Sequence, residues 1–169
     1  RMDNGKATRV DLGRVLSPSC FVQDAEGRLW VGTLNQGIVV LKNGKQERSY
    51  SKEDGLLDNA VRSLIRDNDG HIWIGTVSGL NSWQPGVEGF LAYTERSGFI
   101  GVEAKPHAAC LAKNGDLWFG TAKGATRVVP EKGGLKAMPP LVSLRGLNVN
   151  QEDRTVEQDL RLSHSERSI

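Results

Sequence analysis

Cysteine is scarce in this chain, and its scarcity removes the first explanation for a small fold. The two copies, Cys20 and Cys110, cannot build a disulfide framework. They fall in the first strands of different repeats, two units apart, and a disulfide needs Cα atoms within about 7 Å. Two buried free thiols are therefore expected, and the compartment cannot be read from cysteine usage. Charge of one sign is also lacking. Twenty-two Lys and Arg against twenty Asp and Glu leave a net charge of +2, with no Lys/Arg block, so nucleic acid is not an expected partner. No apolar run approaches membrane-spanning length, and residues 1–15 have no apolar signal-peptide centre, so no direct membrane contact is expected within this segment. Arg1 does not read as a natural start, and both ends look cut. The three histidines, His71, His107 and His164, share no ligand spacing, so neither metal nor cofactor is expected.

What the chain has in abundance is glycine, 20 copies in 169 residues, and much of it is periodic. Gly27-Arg28-Leu29-Trp30-Val31-Gly32-Thr33 recurs as Gly70-His71-Ile72-Trp73-Ile74-Gly75-Thr76 and as Gly115-Asp116-Leu117-Trp118-Phe119-Gly120-Thr121, with the tryptophans 43 and 45 residues apart. Each unit then opens another run at a glycine: Gly37-Ile38-Val39-Val40, Gly79-Leu80 and Gly124-Ala125. Short apolar runs punctuated by turn residues predict strands at 19–24, 28–33, 37–42 and 45–50. The second unit gives 60–66, 71–76, 79–84 and 88–94, and the third gives 107–112, 116–121 and 124–129. Glu26-Gly27, Asp69-Gly70, Asn114-Gly115 and Asn43-Gly44 supply the hairpin turns. Asn4-Gly5 reads as the same turn in a preceding, mostly missing unit.

Continuous apolarity at Leu29-Trp30-Val31 means a strand covered on both faces. A period in the low forties with four strands per unit is the signature of a β-propeller. The expected fold is thus all-β: a partial β-propeller of about three four-stranded antiparallel blades plus a stub of a preceding blade. The units cover about 15–50, 60–94 and 107–137 within residues 1–137. Trp30, Trp73 and Trp118 are assigned to the core, each burying about 150–250 Å². Gly32, Gly75 and Gly120, on the same face, let the ring or the next blade approach closely.

These residues resemble the two-component regulator propeller repeat: Asp24 and Asp67, a Gly turn, the three Trp-x-Gly-Thr cores, and Gly55-Leu56 ahead of Val61. Ala112 departs from the pattern, which puts a side-chain cap on the third turn in doubt. Residues 138–169 are read as a linker and the incomplete first strands of an Ig-like sandwich. Pro139 to Asn150 resembles the opening of the sandwich that follows such propellers, and Leu160–Ile169 would be its next strand. The resemblance implies a bacterial sensor region, periplasmic or otherwise extracytoplasmic, feeding a kinase or similar output. It also implies a mechanism in which ligand capture changes how the sandwich domains of two chains sit.

Loops joining second to third strands share a face with loops joining one blade to the next, and loops on a rigid scaffold carry binding. The rim is 34–36, 77–78, 122–123, 54–59 and 98–105. Its candidate ligand contacts are Asn35, Gln36, Asp58, Asn59, Ser78 and Lys123, with ordinary solvated loop as the alternative for each. The ligand would be a small molecule, a saccharide among the options. No catalytic residue is assigned. No nucleophile motif is present, and the Asp24 and Asp67 turns differ from the Ser-x-Asp-x-Gly turn of sialidase-type repeats. Two further readings stay open. One is a propeller hydrolase or lyase; the other is an interaction scaffold that self-assembles through open blades, since an unclosed ring exposes a strand edge and an apolar face.

Overall fold

The computed structural model describes residues 2–3, 6–7, 10, 16–97, 99–130, 147–149 and 152–154. Strands β1 (Met2–Asp3) and β2 (Lys6–Ala7) form an antiparallel pair; Asn4-Gly5, read from sequence as a turn, lies outside the described residues. The first complete blade is β3 (Pro18–Gln23), β4 (Leu29–Thr33), β5 (Ile38–Lys42) and β6 (Lys45–Tyr50), paired in that order. The second is β7 (Val61–Arg66), β8 (Ile72–Thr76), β9 (Gly79–Trp83) and β10 (Leu91–Tyr93). The third holds three strands among the described residues, β11 (Ala104–Leu111), β12 (Leu117–Thr121) and β13 (Gly124–Val128). Residues 131–137, assigned to this blade from sequence, lie outside the described residues.

A separate unit, 139–169, contains β14 (Leu147–Val149) paired with β15 (Glu152–Arg154). β14 thus pairs with a strand that begins three residues after it ends. The expected strand at Leu160–Ile169 lies outside the described residues.

The blades are built by short-range turn chemistry. Asn43 at φ 52° and Gly44 at φ 79° make a two-residue hairpin, the left-handed pair that the right-handed strand twist demands. Cross-strand partners share a face, so Val22, Trp30 and Val40 line one side of the first blade, and Phe21, Val31 and Val39 the other. The first side packs on the second blade: Trp30 and Ile38 join Val61, Leu64, Ile72, Ile74 and Trp83 in one apolar cluster. The second blade repeats this, with Trp73 and Leu80 packing on Phe99, Leu117 and Phe119. Ring contacts line both clusters, and one of them crosses from the first blade to the second. Trp30 lies 4.8 Å from Trp83 and stacks on Tyr50 at 5.7 Å, and Trp73 stacks on Tyr93 at 5.6 Å.

The glycine two residues after Trp30, and the one two residues after Trp73, is where the next blade comes in. A Cβ at Gly32 would stand 2.7 Å from Val61 Cγ1, and one at Gly75 would stand 2.8 Å from Ala104 Cβ. Val61 and Ala104 occupy the same position on the first strands of successive blades, each opposite the threonine of Gly-Thr. At Gly120 the obstruction is the same blade's Ala108.

Two expectations fail, for one reason. Trp118 is 40% exposed, whereas Trp30 and Trp73 are buried. Cys110, expected to be a buried thiol, is exposed; both cysteines are free, and only Cys20 is buried. Cys110, Trp118 and Arg127 face one another across the third blade, on the side that in the other blades meets a following blade. Among the described residues nothing follows.

Candidate functional site

Each rim loop begins at a threonine that closes its own hairpin. The Thr33 hydroxyl donates to the Gly37 carbonyl at 2.8 Å and accepts the Gln36 amide at 2.8 Å. Thr76 donates to Gly79 at 3.0 Å and accepts from Ser78 at 3.1 Å. Thr121 donates to Gly124 at 2.9 Å and accepts from Lys123 at 3.3 Å. All three threonines are buried. Buried hydroxyls seek partners on both sides, and here both partners belong to the loop. The loops then bond to inter-blade segments: Leu34 N to Ser17 O at 3.0 Å, Gly37 N to Asn59 O at 2.9 Å, and Ala122 N to Glu103 O at 2.9 Å. The two loop classes therefore share one face, as the fold class requires.

The segment from Ser51 to Ala60 is the most elaborate part of that face. Ser51 and Asp54 form a reciprocal capping box on the single turn Lys52–Asp54, and Gly55 leaves it at φ 101°. The Asn59 side-chain carbonyl accepts the Lys52 amide at 2.8 Å. Asp58 accepts the Ala60 amide at 2.9 Å and the Ser78 hydroxyl at 3.0 Å. Asn81, fully buried on β9, ties the segment to the second blade. It accepts from Leu57 N at 2.9 Å and donates to Gly55 O at 3.3 Å and Leu91 O at 3.4 Å.

Of the six candidates, the structure thus brings Asp58 and Ser78 into direct contact and sets Asn59 beside Gly37. Gln36 and Asn35 are exposed at the tip of their loop. Lys123 reaches away from this group and pairs with Glu95 at the surface. Gly98 lies outside the described residues. Asn81 was missed from sequence; its only signal is a polar residue where the first blade has Val39 in the same strand position.

The opposite face carries the turns between first and second strands. The Asp24 carboxylate accepts the amides of Glu26 (3.0 Å) and Arg28 (2.9 Å), the Arg28 guanidinium at 2.6 Å and the Trp30 indole at 2.9 Å. Burial pushes its pKa up, but the bonds from Trp30 and Arg28 outweigh that and hold it below the ordinary carboxylate value. Asp67 repeats the arrangement with Asp69 N (3.0 Å), His71 N (2.8 Å), His71 Nδ1 (3.0 Å) and Trp73 Nε1 (2.8 Å). With Ala112 in the third blade the backbone turn survives, Ala112 N to Asp116 O at 2.8 Å. Its side-chain bonds now come from Asn114 (2.7 Å) and Arg127 (2.6 Å) to Asp116. No group of His, Cys, Asp and Glu among the described residues could hold a metal ion.

None of the six candidates lines either of two cavities that border the blades. One, of about 240 Å³, lies beside β13 and is bounded by Leu80, Tyr93, Phe99, Ile100, Thr126 and Val128. The other, of about 220 Å³, lies on the turn face by Asp67, Asn114 and Asp116.

The Asp-turn-Trp-Gly-Thr unit, with its carboxylate on the indole, is a defined repeat, and residues 14–35 and 55–78 match the family model of the two-component regulator propeller. Over those two segments the chain matches the two-component regulator propeller repeat. The propeller is 23% identical over 127 residues to histidine kinase P4 from Formosa agariphila, covering 75% of this chain and 9% of that protein. In fold it is similar to the extracellular domain of BT4673 from B. thetaiotaomicron, at 19% identity and a TM-score of 0.56, covering 82% of this chain and 23% of that one. Streptogramin B lyase shares the fold at 21% identity and a TM-score of 0.51, over 73% of this chain and 45% of the lyase. The propeller therefore spans less than half the length of each. No helix among the described residues is long and apolar enough to cross a membrane.

Proposed function

We propose that this chain is the ligand-capturing part of a signal-transduction sensor, working outside the cytoplasm and presenting its inter-blade loop face to a small ligand such as a saccharide. The observation that carries this reading is the loop network around 51–60, whose caps and cross-links hold a polar face rigid before any ligand arrives. Binding gains when groups are already ordered. Asp58, Asn59 and Ser78 serve as the frame, and the exposed Asn35 and Gln36 serve as the contacts. The repeat family and the kinase relative support the signalling context, and the extracellular domain of BT4673 supports the location. Movement of sandwich domains in a pair of chains is the proposed output step. Self-association of the chain through its open third blade is a further part of the proposal.

The test is thermal unfolding against a panel of oligosaccharides and short peptides. A ligand that raises the midpoint for the native chain, and not for an Asn35→Ala/Gln36→Ala variant, supports the reading. A hit untouched by that variant moves the site elsewhere, and a panel with no hit removes ligand capture from this face. The lyase likeness is one of fold alone.

A further inference from the structure

The first strand of every blade carries extra residues at one place, just inside the loop face. Opposite Thr33 and Gly32 the pairing runs from Pro18 to Cys20 and leaves Ser19 over. Opposite Thr76 and Gly75 it runs from Val61 to Ser63 and leaves Arg62. In the third blade Ala104 faces Thr121, and the register resumes at Ala109 opposite Phe119. Ala108 lies against Gly120, so Lys105, Pro106 and His107 are left over, with His107 at φ 57°. A bulged residue leaves the alternation of its strand and is re-aimed. Each of these strands ends its own sheet, and β7 packs on both β3 and β11. The Ser19 hydroxyl accordingly donates across to the Val61 carbonyl at 2.7 Å. Ser19, Arg62 and Lys105 hold the same position on three neighbouring strands.

Arg62 is set apart by what surrounds it. It is half-buried, yet makes no hydrogen bond or ion pair among the described residues. Every other Lys and Arg between residues 16 and 130 is exposed or, like Arg28, bound to a carboxylate. Asp58, four residues before Arg62, is engaged by Ala60 N and by Ser78. A guanidinium that has lost part of its hydration without a partner gains from an oxyanion that fits its fork. Lys105 adds a second positive charge. Its pair with Glu103 at 3.3 Å joins two side chains that are nearly half exposed, the kind of pair that contributes little and opens readily. We infer that these bulges form an anion site at the margin of the loop face, where Arg62 holds the carboxylate or sulfate of a small acidic ligand and Lys105 supplies the second charge. The inference rests on the loop-face reading above and narrows its ligand to an acidic one.

Sodium sulfate is the general probe, titrated into the whole chain against sodium chloride at equal ionic strength and followed by the Arg62 Nε–H signal. Saturable shifts with sulfate are expected. Affinity should fall at least about tenfold in Arg62→Gln, the effect of losing a charge-assisted bond, and less in Lys105→Gln. Without sulfate, Arg62→Gln should keep the native unfolding midpoint, because the side chain it replaces bonds to nothing. Shifts that do not saturate, equal affinity in Arg62→Gln, or a lowered midpoint for that variant without anion each overturn the inference. Tetragalacturonate and its uncharged methyl ester then separate the site from the face. Binding of the acid alone supports the inference, and equal binding of the ester overturns it while leaving capture by the loop face standing. Sulfate binding through Arg62 with neither saccharide bound supports the anion site and counts against a saccharide on that face.

Discussion

The second and third blades carry nearly the same seven residues, Gly-His-Ile-Trp-Ile-Gly-Thr and Gly-Asp-Leu-Trp-Phe-Gly-Thr, yet bury them differently. Trp73 is enclosed by Tyr93 stacked on its ring, by Asp67 on its indole nitrogen, and by the third blade's Leu117 and Phe119 beyond. Trp118 has Ala112 where the carboxylate would be and no aromatic or following blade over it among the described residues. The backbone turn and hairpin are the same in both. The repeat motif therefore specifies a strand pair and a threonine-closed loop, whereas burial of the tryptophan is supplied by what comes next.

The sharpest way to break that comparison is to truncate both rings. Trp73→Ala should lower stability by about 3–5 kcal/mol, the range for deleting a buried aromatic, whereas Trp118→Ala should cost about 1 kcal/mol or less, as an exposed site does. Denaturant midpoints that fall equally would show that the third blade is covered as fully as the second.

The carboxylate clasp comes next in size. Asp24→Asn removes a charge that accepts from Arg28 and Trp30 and should cost about 2–4 kcal/mol at neutral pH. The folded-state pKa of Asp24 is depressed. Its contribution is therefore complete above the unfolded value of about 3.9 and disappears as pH falls through the folded value. The gap between native and variant midpoints should close on acidification below about pH 4. A gap that holds steady would mean the charge itself contributes nothing.

Smaller effects sharpen the picture. Ser63 occupies the position that is Cys20 in the first blade, opposite the Trp-x-Gly glycine. Its hydroxyl is the one buried side-chain polar atom among the described residues with no partner. Ser63→Ala should leave stability unchanged or raise it by about 1 kcal/mol, because an unpaired buried hydroxyl carries its desolvation cost uncompensated. A loss above that size would reveal a partner for the hydroxyl. The least perturbing test is chemical. A thiol reagent should modify Cys110 in the native chain without moving the unfolding midpoint, and should spare Cys20, whose thiol burial pushes up. Equal labelling would place both on open surface.

Much of this fold is legible in the sequence, for local reasons. The hairpins at Glu26-Gly27 and Asn43-Gly44 are decided by residues that touch in sequence, and the strand bounds between 18 and 128 agree within a few residues at most ends. What escaped was decided at a distance. The exposure of Trp118 and Cys110 depends on a neighbour that the motif cannot report. Trp83, which completes the cluster around Trp30, has no counterpart in the repeat. At the rim, residue type alone could nominate Asp58, Asn59 and Ser78, but only the fold shows that Ser78 meets Asp58 and that Asn59 holds the Lys52 amide. Asn81 escaped because a lone asparagine in an apolar strand looks like a blemish until its three backbone partners are seen.

The threonine that ends each second strand has a consequence for how such surfaces diversify. It anchors both ends of its loop through its own hydroxyl, and it does so equally for the three intervening residues 34–36 and for the two at 77–78 and 122–123. The contents of a loop are thereby uncoupled from the stability of the blade beneath it. A lineage, or a protein engineer, could rewrite the chemistry of one loop at a time and keep the same frame, much as type is changed in a press.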